Sequence, residues 1–215
     1  ETLPPERRTV AGHATTAQRY AALFRDRIYV GIALVAGMNY AALFAYLSAS
    51  PFLFQDLYDL GPQGYSIVFG INSIGIAIGV QISSRLARRI GPQWILAGAL
   101  VLQLLASAAI AVLALAGGGL VGVLIPLWVF VFSCGLNFPC LQGLALVGHG
   151  AEAGTAASVQ GAVCFAFGGL MSPVLGLLPM DSAAPMGLAM MVVEVVGILA
   201  LWTVVRPWTV PPLGD

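Results

Sequence analysis

Long apolar runs, separated by short segments rich in glycine, proline and polar residues, dominate the chain. Six of the runs reach the length of about 20 residues that a membrane-spanning helix needs. They cover approximately residues 28–50, 65–86, 94–116, 120–146, 155–178 and 185–205. Before the first run, Tyr20, Leu23 and Phe24 recur at helical spacing beside Arg19 and Arg25. This pattern predicts a short amphipathic helix at the membrane surface that leads into the first span.

The first two runs predict a helical hairpin. The first run ends at Ser50-Pro51, where the proline is expected to break the helix, and a short acidic connector at residues 56–62 leads to the second run. The same device recurs along the chain and predicts an all-α integral membrane fold with six transmembrane helices. We assign residues 1–26 to a tail or linker with the amphipathic helix, residues 27–206 to the bundle and residues 207–215 to a second tail.

Composition supports a membrane protein and excludes a water-soluble globule. The chain is 59% hydrophobic and 8% charged, with a mean hydropathy of +0.93, whereas soluble domains carry about 25% charged residues. The net charge is zero, which gives no argument for nucleic acid. The three cysteines, Cys134, Cys140 and Cys164, lie inside apolar runs at a spacing that fits no metal site, and we interpret them as small buried side chains.

Glycine pairs within the spans predict close helix packing. Gly75 and Gly79 form a GxxxG motif, which lets helices approach each other in lipid. The fifth span carries a further set of small residues, namely Gly161, Gly168, Gly169 and Gly176.

The arginines predict the orientation, because cytoplasmic loops of membrane proteins carry an excess of basic residues. All nine basic residues are arginines, and they precede the first span, lie between the second and third, or follow the sixth. With six spans these three places share one face, which predicts a multi-pass plasma-membrane protein with both termini in the cytoplasm. The arginines are Arg7, Arg8, Arg19, Arg25, Arg27, Arg85, Arg88, Arg89 and Arg206.

Glu194 is the acidic residue that lies well inside a span. A charged side chain at the centre of a membrane helix costs about 2.5–3.5 kcal/mol on insertion scales. One hypothesis is that Glu194 couples a proton or contacts a cationic substrate; the alternative is a neutral carboxyl group hydrogen-bonded to a neighbouring helix.

Neither an HExxH nor a GxSxG motif occurs, and we predict no enzymatic activity.

Several aromatic and amide side chains inside the spans could line a cavity for a ligand. Tyr40 and Phe44 are four residues apart, and Phe69 and Asn72 are three apart, so each pair is expected to share a helix face. Such a lining suits an apolar, weakly polar or cationic ligand, while packing between helices is the alternative for each residue alone. The candidates are Asn39, Tyr40, Phe44, Phe69, Asn72, Asn137 and Gln160.

The segment from Ser84 to Gly91 is predicted to form a short cytoplasmic turn with Arg85, Arg88 and Arg89. It resembles the D-R-x-G-R-R loop motif of the major facilitator superfamily, with Ser84 in place of the aspartate and Ala87 in place of the glycine. The positive-inside rule explains the charges of this segment but not their spacing.

Five further stretches resemble the Bcr/CflA-type drug-resistance transporters, which are drug:proton antiporters of that superfamily. They match parts of the seventh, eighth, tenth and eleventh helices of the family, and the resemblance covers nearly all of residues 20–205 in order. The stretches are residues 44–52, 61–63, 69–72 and 137–139, and residues 154–161 with Ser172-Pro173.

The resemblance implies the C-terminal half of a twelve-helix transporter, built from two three-helix repeats. It implies efflux of hydrophobic drugs by alternating access, energy from a proton gradient without a cofactor, and a gate formed in part by Arg85, Arg88 and Arg89. Its partners would be the lipid bilayer, a small-molecule substrate and an N-terminal half, without which we expect no transport. The alternatives are a carrier that imports or exports a metabolite, or a membrane-embedded enzyme or assembly subunit.

Overall fold

The computed structural model describes residues 16–147, 149–179 and 181–210, and all regular structure in this part of the chain is helical. Residues 1–15 and 211–215 of the predicted tails, with Arg7 and Arg8, lie outside the described residues. The α-helices of the described part are α1 (Thr16–Arg25), α2 (Arg27–Pro51), α3 (Gly61–Ile90), α4 (Pro92–Leu115), α5 (Gly119–Leu146), α6 (Ala153–Gly176) and α7 (Ala184–Ala200).

Six of these helices, α2 to α7, are long and apolar enough to cross a membrane. Helix α2 continues through a wider π-helical turn at Phe52–Leu57, and α7 continues through another at Leu201–Val205. With such extensions the spans contain 24 to 31 residues, enough for a hydrocarbon core of about 30 Å. The prediction of an all-α membrane fold with six transmembrane helices is therefore confirmed.

The predicted break at Ser50-Pro51 is wrong, because the helix runs through Pro51 to Leu57. Proline has no N–H to donate to the carbonyl four residues earlier, and the hydroxyl of Ser50 donates to that carbonyl, the oxygen of Leu47, at 3.3 Å. The π-helical turn then buries Phe54 completely. The connector is consequently shorter than residues 56–62, and the chain reverses just before α3 begins at Gly61.

The predicted turn at residues 84–91 is also wrong in its extent. Arg85, Arg88 and Arg89 belong to the last turns of α3, which ends at Ile90. The turn itself is at Gly91, whose φ of 84° favours glycine, and Pro92 then begins α4.

Helix α2 lies at the centre of the bundle. It packs along α6 and α7 and also contacts α5, while α4 lies between α5 and α7, and α3 packs on the other side of α5. In the most apolar stretch of each helix, 72% of the residues of α2 are buried but only 28% of those of α3 and of α6. Helices α3 and α6 are therefore the two edges of the bundle, and they flank α2 and α5.

The buried apolar side chains form two clusters at different depths. One cluster contains Phe54, Phe130 and Met186, and the other contains Tyr29 and Leu144 near the end of the bundle that carries the arginines. Between the clusters, α2, α4, α5 and α7 each contribute one fully buried amide or carboxyl side chain. We call these four residues the mid-bundle polar layer: Asn39, Gln103, Asn137 and Glu194.

Glycines allow several pairs of helices to approach closely. A Cβ atom on Gly79 of α3 would collide with the carbonyl oxygen of Phe132 and would lie 3.0 Å from the Cα of Gly135 on α5. Gly75, the GxxxG partner of Gly79 on α3, faces the indole of Trp128 on α5. In the fifth span, Gly168 packs against the ring of Phe44. The other three glycines of that span have no such contact: Gly161, Gly169 and Gly176.

The contact between α3 and α5 predicts unequal effects of adding a methyl group to two glycines of α3. We expect Gly79→Ala to destabilise the bundle by about 1–3 kcal/mol, because the new methyl group has no room. Gly70→Ala is the matched control, since no atom lies within 4 Å of its Cβ position. Thermal unfolding of the purified protein in detergent measures both. Equal melting temperatures for the two variants would contradict the close packing at Gly79.

Candidate functional site

A cavity of about 310 Å³ opens between α2, α5 and α6. Its wall contains the rings of Tyr40, Phe138 and Phe165 together with the amide groups of Gln142 and Gln160. The cavity lies at the edge of the bundle where α6 packs on α2, and the absence of a side chain at Gly168 permits that packing. We call it the aromatic cavity.

The rings of the aromatic cavity contact one another. The centroid of Tyr40 lies 5.7 Å from that of Phe138 and 5.9 Å from that of Phe165. Phe44 stacks on Tyr40 at 6.5 Å and meets Phe165 edge to face at 6.2 Å. These separations are typical of favourable aromatic pairs. Because the ring of Phe165 is 66% exposed, the cluster presents an aromatic surface that a ligand could contact.

One amide group supplies polarity at this surface. The Nε2 atom of Gln160 donates to the carbonyl oxygen of Leu141 at 3.3 Å, while its Oε1 atom is buried and has no hydrogen-bond partner among the described residues. The side chain of Gln142 is exposed. An apolar wall with a few polar groups that orient a ligand is the usual form of a small-molecule site.

A larger groove of about 530 Å³ lies between α6 and α7, but it offers no comparable chemistry. Its lining is apolar throughout, with residues such as Met171, Leu188 and Val192. Because no polar side chain there could orient a ligand, the smaller aromatic cavity is the better candidate for a specific site.

The mid-bundle polar layer lies on the other side of α2, inside the bundle. The Nε2 atom of Gln103 donates to Oδ1 of Asn39 at 3.0 Å and to the sulfur of Cys134 at 2.9 Å. The Nδ2 atom of Asn137 donates to Oε1 of Gln103 at 2.6 Å and to Oδ1 of Asn39 at 3.1 Å. Three amide side chains thereby connect α2, α4 and α5 within the membrane-spanning part of the bundle.

Glu194 belongs to the same layer and is fully buried. Neither of its carboxyl oxygens has a hydrogen-bond partner among the described residues. Its position on α7 is close enough to Cys134 on α5 for an electrostatic interaction. The sequence singled out this residue correctly as the buried acid, although its role stays a prediction.

The structure divides the seven predicted cavity residues among three places. Tyr40 and Gln160 line the aromatic cavity and Phe44 stacks beside them, whereas Asn39 and Asn137 point into the bundle. Phe69 and Asn72 of α3 do not point the same way. Asn72 is buried and donates to the hydroxyl of Tyr46 at 3.0 Å, while Phe69 is 41% exposed and packs on Tyr65.

The three arginines of the predicted gate are exposed at the end of α3. Arg85 and Arg89, one turn apart, line a groove with Ile82, and Arg88 does not contribute to it. The guanidinium groups of one helix face are thus available to a partner surface, and their role as a gate stays a prediction.

A separate contact at the same end ties the connector between α5 and α6 to the start of α2. One carboxyl oxygen of Asp26 accepts from the backbone N–H of Ile28 and caps α2, and the other lies 3.5 Å from Nε2 of His149. The ring of Tyr29 packs on His149 at 5.4 Å and its hydroxyl donates to the carbonyl oxygen of Ala156 at 2.7 Å. These contacts hold α2 and α6 together at the end of the bundle that carries the arginines.

Sequence reasoning missed three residues of the site. Gln103 is a lone amide within the apolar third span. Such a residue indicates a hydrogen-bond partner on another helix, because a polar side chain inside the membrane needs one. Phe138 and Phe165 were apolar residues among many others. Only the packing of α5 and α6 against Tyr40 shows that their rings belong together.

Comparison with known proteins gives consistent matches. Residues 2–173 match the family model described as the Major Facilitator Superfamily. The uncharacterized MFS-type transporter YdgK of Bacillus subtilis is 32% identical over 202 residues, which are 94% of this chain and 50% of that protein. The bicyclomycin resistance protein homolog of Haemophilus influenzae is 26% identical over 186 residues, which are 86% of this chain and 47% of that protein. The chain thus spans about half the length of these relatives.

The amide network predicts that Gln103→Leu destabilises the bundle. The substitution leaves Asn39 and Asn137 without their shared partner, and hydrogen bonds between membrane helices contribute about 0.6 kcal/mol each, with larger values near 1.7 kcal/mol. We expect a lower melting temperature in detergent for Gln103→Leu. The control is Gln81→Leu, at an exposed position of α3, which should not lower it. A Gln103→Leu protein as stable as the wild type would contradict a stabilising network.

Proposed function

The chain belongs to the major facilitator superfamily, and on that basis we propose that it is the C-terminal six-helix half of a proton-coupled efflux transporter for hydrophobic drugs or related small molecules. Proteins of this superfamily are transporters rather than enzymes, and they need no cofactor. A lipid bilayer and a small-molecule substrate are therefore its partners.

The observation that carries the proposal of an apolar or cationic substrate is the aromatic cavity. The rings of Tyr40 and Phe165 line the cavity and contact each other, and Phe44 packs edge to face on Phe165 beside them. Ring faces attract cations with about 0.5–2 kcal/mol each. No lysine or arginine is among the residues that line this cavity, so it offers nothing that would pair with an anionic substrate. The name of the Haemophilus relative, a bicyclomycin resistance protein homolog, agrees with a drug as substrate.

The route across the membrane in this proposal is alternating access. The chain spans about half of its relatives, and we propose that a second, N-terminal six-helix half completes the transporter. Helices α2, α3, α5 and α6 would face that half, since the two edge helices flank α2 and α5. Rocking of one half against the other would expose the aromatic cavity to each side of the membrane in turn.

We further propose that the protein lies in the bacterial inner membrane with the arginine-bearing end in the cytoplasm. The positive-inside rule supports this orientation, because Arg25, Arg27, Arg85, Arg88, Arg89 and Arg206 belong to helix ends and connectors on one side. The exposed guanidinium groups of Arg85 and Arg89 would pair with the other half when the cytoplasmic side closes.

A proton gradient would supply the energy, and Glu194 is the proposed proton carrier of this half. It is the acidic residue of the described spans that is completely buried. Intramembrane acids commonly mark proton pathways in transporters.

Efflux of ethidium, a hydrophobic aromatic cation, tests the proposed function. The intact reading frame that encodes this chain, expressed in a bacterial strain without its own drug pumps, should extrude ethidium and confer bicyclomycin resistance. A protonophore should stop the extrusion. Failure of both assays, with the protein present in the membrane, would contradict drug efflux and favour a metabolite carrier.

The aromatic cavity makes a further prediction about single residues. Phe165→Ala should weaken ethidium binding by about tenfold, which corresponds to about 1.4 kcal/mol, because it removes one wall of the cavity. Phe52→Ala is the matched control, since Phe52 is also exposed but belongs to the π-helical turn and does not line the cavity. Fluorescence titration of the purified protein measures both. Equal affinities for the two variants would exclude the cavity as the ethidium site.

A further inference from the structure

The mid-bundle polar layer interrupts an otherwise apolar interior. The apolar cluster that contains Phe54 ends on one side of it, and the cluster that contains Tyr29 begins on the other. Gln103 lies eleven residues after the first residue of α4 and twelve before its last, so the layer is about 17 Å along that helix from either end. It therefore lies near the middle of the membrane.

Glu194 faces this layer because of its register on α7. Gly187 and Gly197, which share its helix face at spacings of seven and three residues, point at the helices that carry Gln103 and Asn39. A Cβ atom on Gly187 would lie 3.0 Å from the carbonyl oxygen of Ser107 on α4, and one on Gly197 would lie 3.3 Å from Met38 on α2. The carboxyl group of Glu194 is thus enclosed between α2 and α4.

Hydrogen-bond donors and acceptors without partners coexist in this layer. The unpartnered acceptors are both oxygens of Glu194 and Oδ1 of Asn137, and the unpartnered donor is Nδ2 of Asn39. The hydroxyl of Ser107, one turn from Gln103, also has no partner among the described residues. Buried polar groups of this kind usually bind ordered water, which both donates and accepts.

The chemistry of the layer favours a proton over a metal ion. Hard cations bind through several oxygen atoms, and here the N–H groups of Asn39 would face such an ion. No arginine of the described residues lies within the central part of a span, so a carboxylate at Glu194 would have no basic partner. A neutral carboxyl group supplies the O–H donor that Asn137 Oδ1 or a bound water can accept.

Few groups near Glu194 could titrate in its place. On α5 the thiol of Cys134 accepts a hydrogen bond from Gln103 and is within range of an electrostatic interaction with Glu194. On α2, Tyr40 faces the aromatic cavity and Tyr46 bonds to Asn72 of α3. The side chains of α4 at this depth, Gln103 and Ser107, carry an amide and a hydroxyl.

We propose that the mid-bundle polar layer is an internal proton site that contains bound water, with Glu194 as the group that gains and loses the proton, and that α2 communicates its state to the aromatic cavity. This inference rests on the proposed function and adds the location of the proton and its link to the substrate. Asn39 and Tyr40 are consecutive residues of α2, one in the layer and the other in the cavity wall.

The proton transfer in this site conserves atoms and charge. The O–H bond of the Glu194 carboxyl group breaks, and a bound water accepts the proton and transfers it through further water molecules to the bulk solvent. The carboxylate that remains accepts hydrogen bonds from unpartnered donors of the layer, such as Nδ2 of Asn39. Because Asn39 belongs to the same rigid helix as Tyr40 and Phe44, a shift of Asn39 towards the carboxylate moves both rings.

The first test is infrared spectroscopy of the purified intact protein, with and without substitution of Glu194. We expect a carboxylic acid band in the wild type that is lost in Glu194→Gln and unchanged in Asp56→Asn, which removes an exposed carboxylate outside the apolar interior. Transfer to heavy water should shift the band. The proton site would be overturned by a spectrum in which Glu194→Gln removes no carboxylic acid band, or by a wild-type band that does not convert to a carboxylate band between about pH 5 and pH 9. This arm does not depend on any substrate.

The second test is the pH dependence of ethidium binding between about pH 5 and pH 9. Binding of ethidium should promote release of the proton, with about one proton released per ethidium, and protonation should in turn weaken ethidium binding. Glu194→Gln, which mimics the neutral acid, should bind ethidium without pH dependence. Asn39→Leu should weaken the pH dependence even though Tyr40 and Phe165 remain.

The outcomes separate the two proposals. If the wild type fails to bind ethidium but its carboxylic acid band disappears as the pH is raised, and the band is absent from Glu194→Gln, the proposed substrate is wrong and the proton site stands. If the wild type binds and extrudes ethidium while Glu194→Gln keeps the full pH dependence, the efflux function stands and the proton site is wrong. Stabilisation of the wild type, but not of Glu194→Gln, by sodium chloride over choline chloride would indicate a sodium site instead.

Discussion

The bundle depends on the rule that a polar group inside a membrane must find its partner within the protein. Asn39, Gln103 and Asn137 follow this rule by bonding to one another, and in doing so they fix the relative positions of α2, α4 and α5. In lipid there is little hydrophobic driving force between helices. Directional bonds and close packing must therefore select one arrangement among many apolar ones.

Helix α2 carries both the structural and the proposed functional consequences of that network. One side of it contributes Asn39 to the interior, and another side contributes Tyr40 to the aromatic cavity, with Phe44 stacked on Tyr40. The same helix is held to α6 by contacts around Gly168 and, at the arginine-bearing end, by Tyr29. A helix that is so extensively buried moves as one body, so a change on one of its faces reaches the other.

Two irregular points of the backbone, the proline within α2 and the glycine that ends α3, are each accommodated by a specific local feature. The hydroxyl of Ser50 donates to the carbonyl that Pro51 cannot serve, which lets α2 extend by a further turn. Gly91 takes the positive φ that ends α3 and leaves Arg85 and Arg89 on a helix rather than in a loop. A rigid helical support keeps their charges at a fixed position, which suits a surface that has to meet a partner.

The amino-acid sequence alone determined the membrane class, the number of spans and most of their limits, because the apolar run that a bilayer requires is a local property. It also identified Glu194 and Tyr40 as unusual residues. Only the tertiary structure decided which neighbours they have. Helices that are apolar all round carry little periodic signal, so the sequence did not reveal that Asn39 points inward, that Gln103 joins it, or that Phe165 completes the cavity. Those outcomes depend on the rotation of each helix, which packing between helices sets.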